Sequence, residues 1–344
     1  MTATPLPTST PAPGVRRHRL AALAVLAATG AASLLLAACG GSSNAFSSSS
    51  TSSSASGAGA SAGASSGGSK NLVVGGANFT EMLIMQQLYG QLLSKAGYTI
   101  SYKAVGNREV YEPALEKGQI DIVPEYAATM ADFMNAKANG PNAPSIASSD
   151  PQQTVQKMTP YLQKVGLVAF AVSPAADSNA FAVTKKFADA NHLKTLSDLA
   201  KLGKPIRLAA TTECPDRPFC MPGLKKTYGI TVSELLPLGF GSPQAKQAVI
   251  SGKADMVLTG TTDATLPSLG LVLLADDKHL QNADNLVPVA HAATADTPDI
   301  SAALNKLSQT LTTADLTTLD QKVDAERQKP EDVAKQYLTS KGLI

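Results

Sequence analysis

Few side chains in this sequence are placed to make or break bonds. Past residue 70 there are three histidines, His192, His279 and His291, and no two stand at a metal-binding helical spacing. The run DDKHL gathers Asp276, Asp277 and His279, a composition suited to a solvated turn rather than to acid–base work. Past residue 70 no Gly-x-Ser-x-Gly elbow occurs either. The chemistry open to the chain is therefore binding, and the polar groups for it gather after a phrase written twice. EPALEKGQIDIVPEYAAT, near residue 120, and KQAVISGKADMVLTGTTDA, near residue 254, share a helix-like run, Gly-x-x-Asp and a short apolar strand. Gly118 corresponds to Gly252 and Asp121 to Asp255, but the phrases end differently, in Glu125-Tyr126 and in Thr261-Thr262-Asp263.

The elements that would position these loops follow from periodicity. NLVVGGA (71–77) is a short apolar strand, and the run after it places Met82, Met85, Leu88, Leu92 and Leu93 near helical spacing. Asn78 with Glu81 three residues later reads as a helix N-cap and its reciprocal acid. REVYEPALEKG is a helix with Pro113 expected in its first turn, and IDIV is a buried strand. Strands alternating with helices at short spacing predict βαβ units and a mainly parallel sheet. The second half rebuilds the same order, which predicts two α/β lobes. Ligands of open α/β sheets lie beyond the carboxyl ends of the strands. The two divergent loops should then face each other across one cleft.

The first seventy residues are read separately. Arg16, Arg17 and Arg19 precede an apolar run from Leu20 to Ala38, followed by Cys39 and Gly40. This is a secretory signal over 1–38, and its end resembles the lipobox of bacterial lipoproteins, in which Cys39 would carry lipid. A plain membrane anchor is the alternative. Residues 39–70, nearly all Ser, Gly and Ala, form a tether with a reach on the order of 30 Å. The 29 Lys and Arg stand against 27 Asp and Glu, and losing the three signal arginines leaves no basic stripe, which gives no support to nucleic acid as a partner. Cys214 and Cys220 within ECPDRPFC read as a disulfide in an exported chain, since a zinc site would want more ligands.

ANFTEMLIMQQLYGQLL, ALEKGQIDIVPEYAAT, DSNAFAVTKK, ECPDRPFCMPGLKKTYGI and LADDKHLQNADNLVPVA resemble, in that order, the substrate-binding lipoproteins of osmoprotectant ABC transporters. The resemblance implies a type II periplasmic-binding-protein fold, two α/β lobes joined by crossover segments near 177–183 and 284–290. Lobe 1 would comprise 71–178 plus 288–344, and lobe 2 would comprise 179–287. It implies capture of glycine betaine or choline in the interlobe cleft, with carnitine, proline betaine or ergothioneine as alternatives. A non-transport sensor is the other alternative. The partners implied are a permease with a cytoplasmic ATPase and, through the lipid, the outer face of the cell membrane. No cofactor and no metal are implied.

A quaternary nitrogen has no hydrogen to donate, so aromatic faces are its good partners. Tyr126 matches the tyrosine of the family's Pro-Glu-Tyr loop and is the leading ligand-binding candidate. Asn78, Phe79, Tyr111, Asn179, Glu213, Phe219, Thr262 and Asp263 complete the expected set. Arg217 is a possible partner for a ligand carboxylate. Aromatics make up only 5% of the chain and Trp is absent, so a full cage must draw on Phe79, Tyr111, Tyr126, Phe219 and Phe240.

Overall fold

The computed structural model describes residues 70–344. The expected signal, Cys39 and the tether through residue 69 lie outside the described residues. Among the described residues, no helix is long and apolar enough to cross a membrane.

Ten strands form two five-stranded sheets. The first contains β1 (Asn71–Ala77), β2 (Thr99–Val105), β3 (Ile122–Tyr126), β4 (Leu167–Ala169) and β10 (Leu286–His291), in the order β2-β1-β3-β10-β4. The second contains β5 (Asn179–Thr184), β6 (Ile206–Ala210), β7 (Val232–Pro237), β8 (Met256–Gly260) and β9 (Leu271–Leu274), in the order β7-β6-β8-β5-β9. In each sheet three parallel strands are followed by one antiparallel strand, β10 against β3 and β5 against β8. Those two strands are the ones reached by the interlobe links. This is the type II periplasmic-binding-protein arrangement.

The links themselves run over 170–178 and 275–285, slightly earlier than expected. Asn179 to Val183 already pair within the second sheet. Leu286 and Val287, assigned from sequence to lobe 2, pair with Tyr126 and Glu125 in the first sheet. Both links end in polar residues, Asp177-Ser178 and Asp284-Asn285, which read from sequence as the start of the crossovers rather than their end.

The duplicated phrase has one structural meaning in both lobes. Asp121 gives its backbone N–H to Val73 and accepts the Val73 N–H on Oδ2 at 2.7 Å. Asp255 does the same with Arg207, accepting its N–H at 2.8 Å, again 48 residues away. Each aspartate thus pins the start of a strand to its parallel neighbour. Gly118 and Gly252 precede them with φ of +65° and +73°, where a Cβ would strain the backbone.

The core is laid down by helix α1 (Thr80–Lys95), which buries Met82, Met85, Leu88, Leu92 and Leu93. It packs against the C-terminal helices Thr313–Asp324 and Pro330–Ser340. Each such side chain contributes roughly 1.5–3 kcal/mol by leaving water. Helix α2 (Arg108–Glu116) carries Pro113 in its interior rather than in its first turn. Helix α3 (Ala127–Asn139) starts directly after β3.

Candidate functional site

At the carboxyl ends of the strands, between the lobes, lies a cavity of about 160 Å³. A cavity near 150 Å³ accommodates a benzene-sized molecule, so this one suits a compact solute rather than a peptide or nucleotide. Lobe 1 contributes Asn78 and Phe79 after β1, Tyr126 at the end of β3, and Tyr111 on α2. Lobe 2 contributes Asn179, Glu213, Arg217 and Phe240. The links add one buried acid each, Asp177 and Asp284.

Aromatic rings from both lobes meet at Phe79. Its ring stacks near Tyr126, with centroids 6.4 Å apart and planes at 24°. Phe240 approaches it at 5.1 Å and 53°. The two tyrosine hydroxyls are tied to buried carboxylates. Tyr126 Oη donates to Glu81 Oε1 at 2.6 Å, and Tyr111 Oη donates to Glu125 Oε1 at 2.7 Å. Both phenols are pushed up by burial and by these carboxylates, so they stay protonated and keep donating.

Glu125 is the buried hub of the lobe 1 wall. Arg108 grips it with Nε to Oε1 at 2.9 Å and Nη2 to Oε2 at 2.6 Å, and Nη2 also donates to Thr129 Oγ1 at 3.0 Å. Burial opposes the charge on Arg108, but Glu125 more than offsets it. Elsewhere acids outnumber bases. Burial pushes Asp177 up to about 6 and Asp284 up to about 7. Glu81 is raised well above the carboxylate range by burial, then by the nearby Asp177 and Asp320.

Besides the contact of Phe79 with Phe240, polar groups join the lobes at two places beside the cavity. At its mouth, Arg217 donates from Nε and Nη2 to the Glu109 carboxylate at 3.0 and 2.9 Å, and Asn107 Nδ2 donates to Glu213 Oε2 at 3.2 Å. Glu213 and Arg217 sit on the loop held by the disulfide between Cys214 and Cys220, whose Cα atoms are 5.2 Å apart. At the back, Thr262 Oγ1 donates to Glu81 Oε2 at 3.0 Å and contacts Asp320 Oδ2 at 3.1 Å.

Of the expected residues, Asn78, Phe79, Tyr111, Tyr126, Asn179 and Glu213 line the cavity together. Three do not. Phe219 is 7% exposed within the disulfide loop and absent from the lining. Thr262 and Asp263 border a separate hollow of about 40 Å³. Asp263 is committed to Lys246 at 2.9 Å and to the hydroxyls of Thr259 and Thr265. Even so, the two divergent loops do meet, because Glu81 accepts from Tyr126 with one oxygen and from Thr262 with the other. The capping reading of Asn78 and Glu81 is corrected by the same contacts. Phe79 is the N-cap of α1, without a side-chain cap, and Asn78 is exposed.

Sequence reasoning missed Asn107, Arg108, Asp177 and Asp284. The acids had a signal, since both stand at the interlobe links. Arg108 had none, because its partner Glu125 lies 17 residues on in another element. Among the described residues, no group of three or more His, Cys, Asp or Glu is arranged to hold a metal ion.

A family model described as the substrate-binding domain of the ABC-type glycine betaine transport system matches residues 70–340. The glycine-betaine-binding protein of Pseudomonas aeruginosa is 25% identical over 290 residues, covering 80% of this chain and 89% of that protein. The glycine betaine-binding protein YehZ of Escherichia coli is 26% identical over 281 residues, covering 78% and 90% respectively. The solved apo structure of YehZ superimposes with a TM-score of 0.55 at 25% identity, covering 80% of this chain and 99% of that one.

Proposed function

Because the chain belongs to the family of substrate-binding domains of ABC-type glycine betaine transport systems, we propose that it captures a quaternary ammonium solute, glycine betaine or choline, between its lobes. It then delivers that solute to a membrane permease driven by a cytoplasmic ATPase. Substrate-binding proteins of ABC importers are extracytoplasmic and bind without turnover. The observation that carries the reading is the ring cluster of Phe79, Tyr126 and Phe240 lining a small cavity whose surrounding carboxylates outnumber its bases. π-faces attract a permanent cation by about 0.5–2 kcal/mol each. The acidic side chains of the same lining, Asp177, Glu213 and Asp284, favour the same charge.

Capture proceeds by hinge closure. The links at 170–178 and 275–285 flex, and the cation sheds water against the rings. The contacts of Arg217 with Glu109 and of Asn107 with Glu213 then close the mouth. Phe79, Tyr111, Tyr126, Asn179 and Glu213 contact the solute in this reading, with Asn78 at the rim. Cys39 carries the lipid that holds the protein at the membrane, and mass spectrometry of the mature N-terminus tests that assignment. The binding reading is tested by thermal unfolding with choline and glycine betaine. Saturation at a hundred times Kd stabilises by about 2.7 kcal/mol. The absence of any shift with either compound at millimolar concentration overturns the reading.

A further inference from the structure

Asn107 and Arg108 are consecutive residues at the start of α2, and both line the cavity. Each keeps one buried polar atom without a hydrogen-bond partner, Asn107 Oδ1 and Arg108 Nη1. Their remaining polar side-chain atoms are committed. Asn107 Nδ2 donates to Glu213 Oε2 at 3.2 Å, and an ionised carboxylate only accepts, so the amide is held with its oxygen left over. Arg108 spends Nε and Nη2 on Glu125 and Thr129. Two consecutive residues of the cavity lining therefore carry one spare acceptor and one spare donor. Buried groups left unmet are costly, and a solute that answers both is selected over one that answers a single group.

From this pair we infer that the cavity prefers a quaternary ammonium alcohol, of the choline type, over a betaine carboxylate, with Asn107 and Arg108 as the residues that set the preference. The inference rests on the quaternary ammonium reading above. A hydroxyl has one hydrogen to give and lone pairs to accept with. It accepts from Arg108 Nη1 and donates to Asn107 Oδ1. A carboxylate has no hydrogen, so it satisfies Arg108 and places negative charge against the Asn107 oxygen.

The charge balance of the site favours the same choice. The only bases on the lining are Arg108 and Arg217. The first is paired with Glu125 and the second with Glu109. That leaves Asp177 and Asp284 on the lining without a basic partner, while Glu213 shares Arg217 with Glu109, at 3.7 Å. A monocation answers this excess of acid. A zwitterion carries an anion of its own into it, and no unpaired base stands ready to receive that anion. Asp177 and Asp284, which burial makes reluctant to ionise, are charged more readily beside a bound cation.

Isothermal titration of the full chain with choline, glycine betaine and tetramethylammonium tests the inference. Choline is expected to bind about tenfold tighter than glycine betaine, the worth of one buried group satisfied rather than orphaned. In Asn107→Ala the choline affinity falls about tenfold and the gap between the two solutes narrows. The wild-type ranking decides the question even if that variant folds poorly. Glycine betaine binding as tightly as choline, or tighter, overturns the preference and leaves the quaternary ammonium reading standing. Binding of none of the three compounds overturns that reading and the preference together.

Discussion

Tyr126 has two separable jobs, a ring on the cavity wall and a hydroxyl on Glu81. Tyr126→Ala is expected to weaken binding of quaternary ammonium solutes about tenfold, from the loss of one π-face. Tyr126→Phe keeps the ring, removes the 2.6 Å donor to Glu81, and should cost considerably less affinity. Calorimetry on the two variants separates the roles, and equal losses would count against the ring. Arg108 is a different case. Glu125 is fully buried, and replacing Arg108 by Ala would leave that charge without its bidentate partner. Breaking a buried pair from one side costs about 3–5 kcal/mol. Denaturant unfolding of Arg108→Ala should show a loss of that size, and a loss below about 1 kcal/mol would mean the pair is not buried as described. These residues also show the limits of reading a sequence. Phe79 and Tyr126 were legible because each directly follows or ends a short apolar strand. The commitment of Asp263 to Lys246 was not, because the lysine stands on a preceding helix, 17 residues back. The Asn78 and Glu81 pair obeys a local capping rule, yet Glu81 is recruited by Tyr126 and Thr262 from two other elements.

At the scale of elements, the repeated phrase was the most legible feature because it encodes a local solution. A glycine ends the helix, and an aspartate three residues on clamps the next strand to its neighbour, in both lobes at the same separation. The bounds of the links were less legible, since the polar residues that close each link, Asp177-Ser178 and Asp284-Asn285, would serve equally well to open one. The disulfide loop is the element whose function is most open to test. It carries Arg217, which meets Glu109 on α2 across the mouth, and Glu109 is held below the usual carboxylate range by this pairing although burial opposes it. Both partners are partly exposed, so the pair should contribute no more than about 1 kcal/mol. Glu109→Gln should therefore speed solute dissociation by a factor of about 2–5, with little change in association. Replacing both cysteines by serine should lower stability by about 2 kcal/mol and loosen the same contact. Stopped-flow dissociation reads both variants, and rates equal to wild type would separate the loop from the closing step.

At the scale of the whole molecule, the two interlobe links each carry a buried aspartate, and this ties stability to pH. Aspartates in unfolded chains titrate near about 3.9, whereas Asp177 is pushed up to about 6 and Asp284 to about 7 by burial. The folded chain therefore keeps protons that the unfolded chain releases between these values. The resulting stability is fully present below about pH 4 and is lost as pH rises through about 6 and 7. The contribution is on the order of a few kcal/mol. Denaturant titrations between pH 4 and 8 should show a shallower decline in a double variant, Asp177→Asn with Asp284→Asn. Identical slopes in variant and wild type would assign the decline to other groups.

The uneven route of the chain through its two sheets has a further consequence for biogenesis. All five strands of the second sheet fall within residues 179–274, whereas the first sheet waits for β10 at Leu286–His291. Helix α1 also waits for a packing partner as late as Pro330–Ser340. During amino-end-first export, the half that emerges first would be the last to finish, holding an incomplete sheet until its sibling has already set. A chaperone of the export pathway would meet that half, and stalled chains ending near residue 280 should present a protease-resistant second lobe beside a digestible first one.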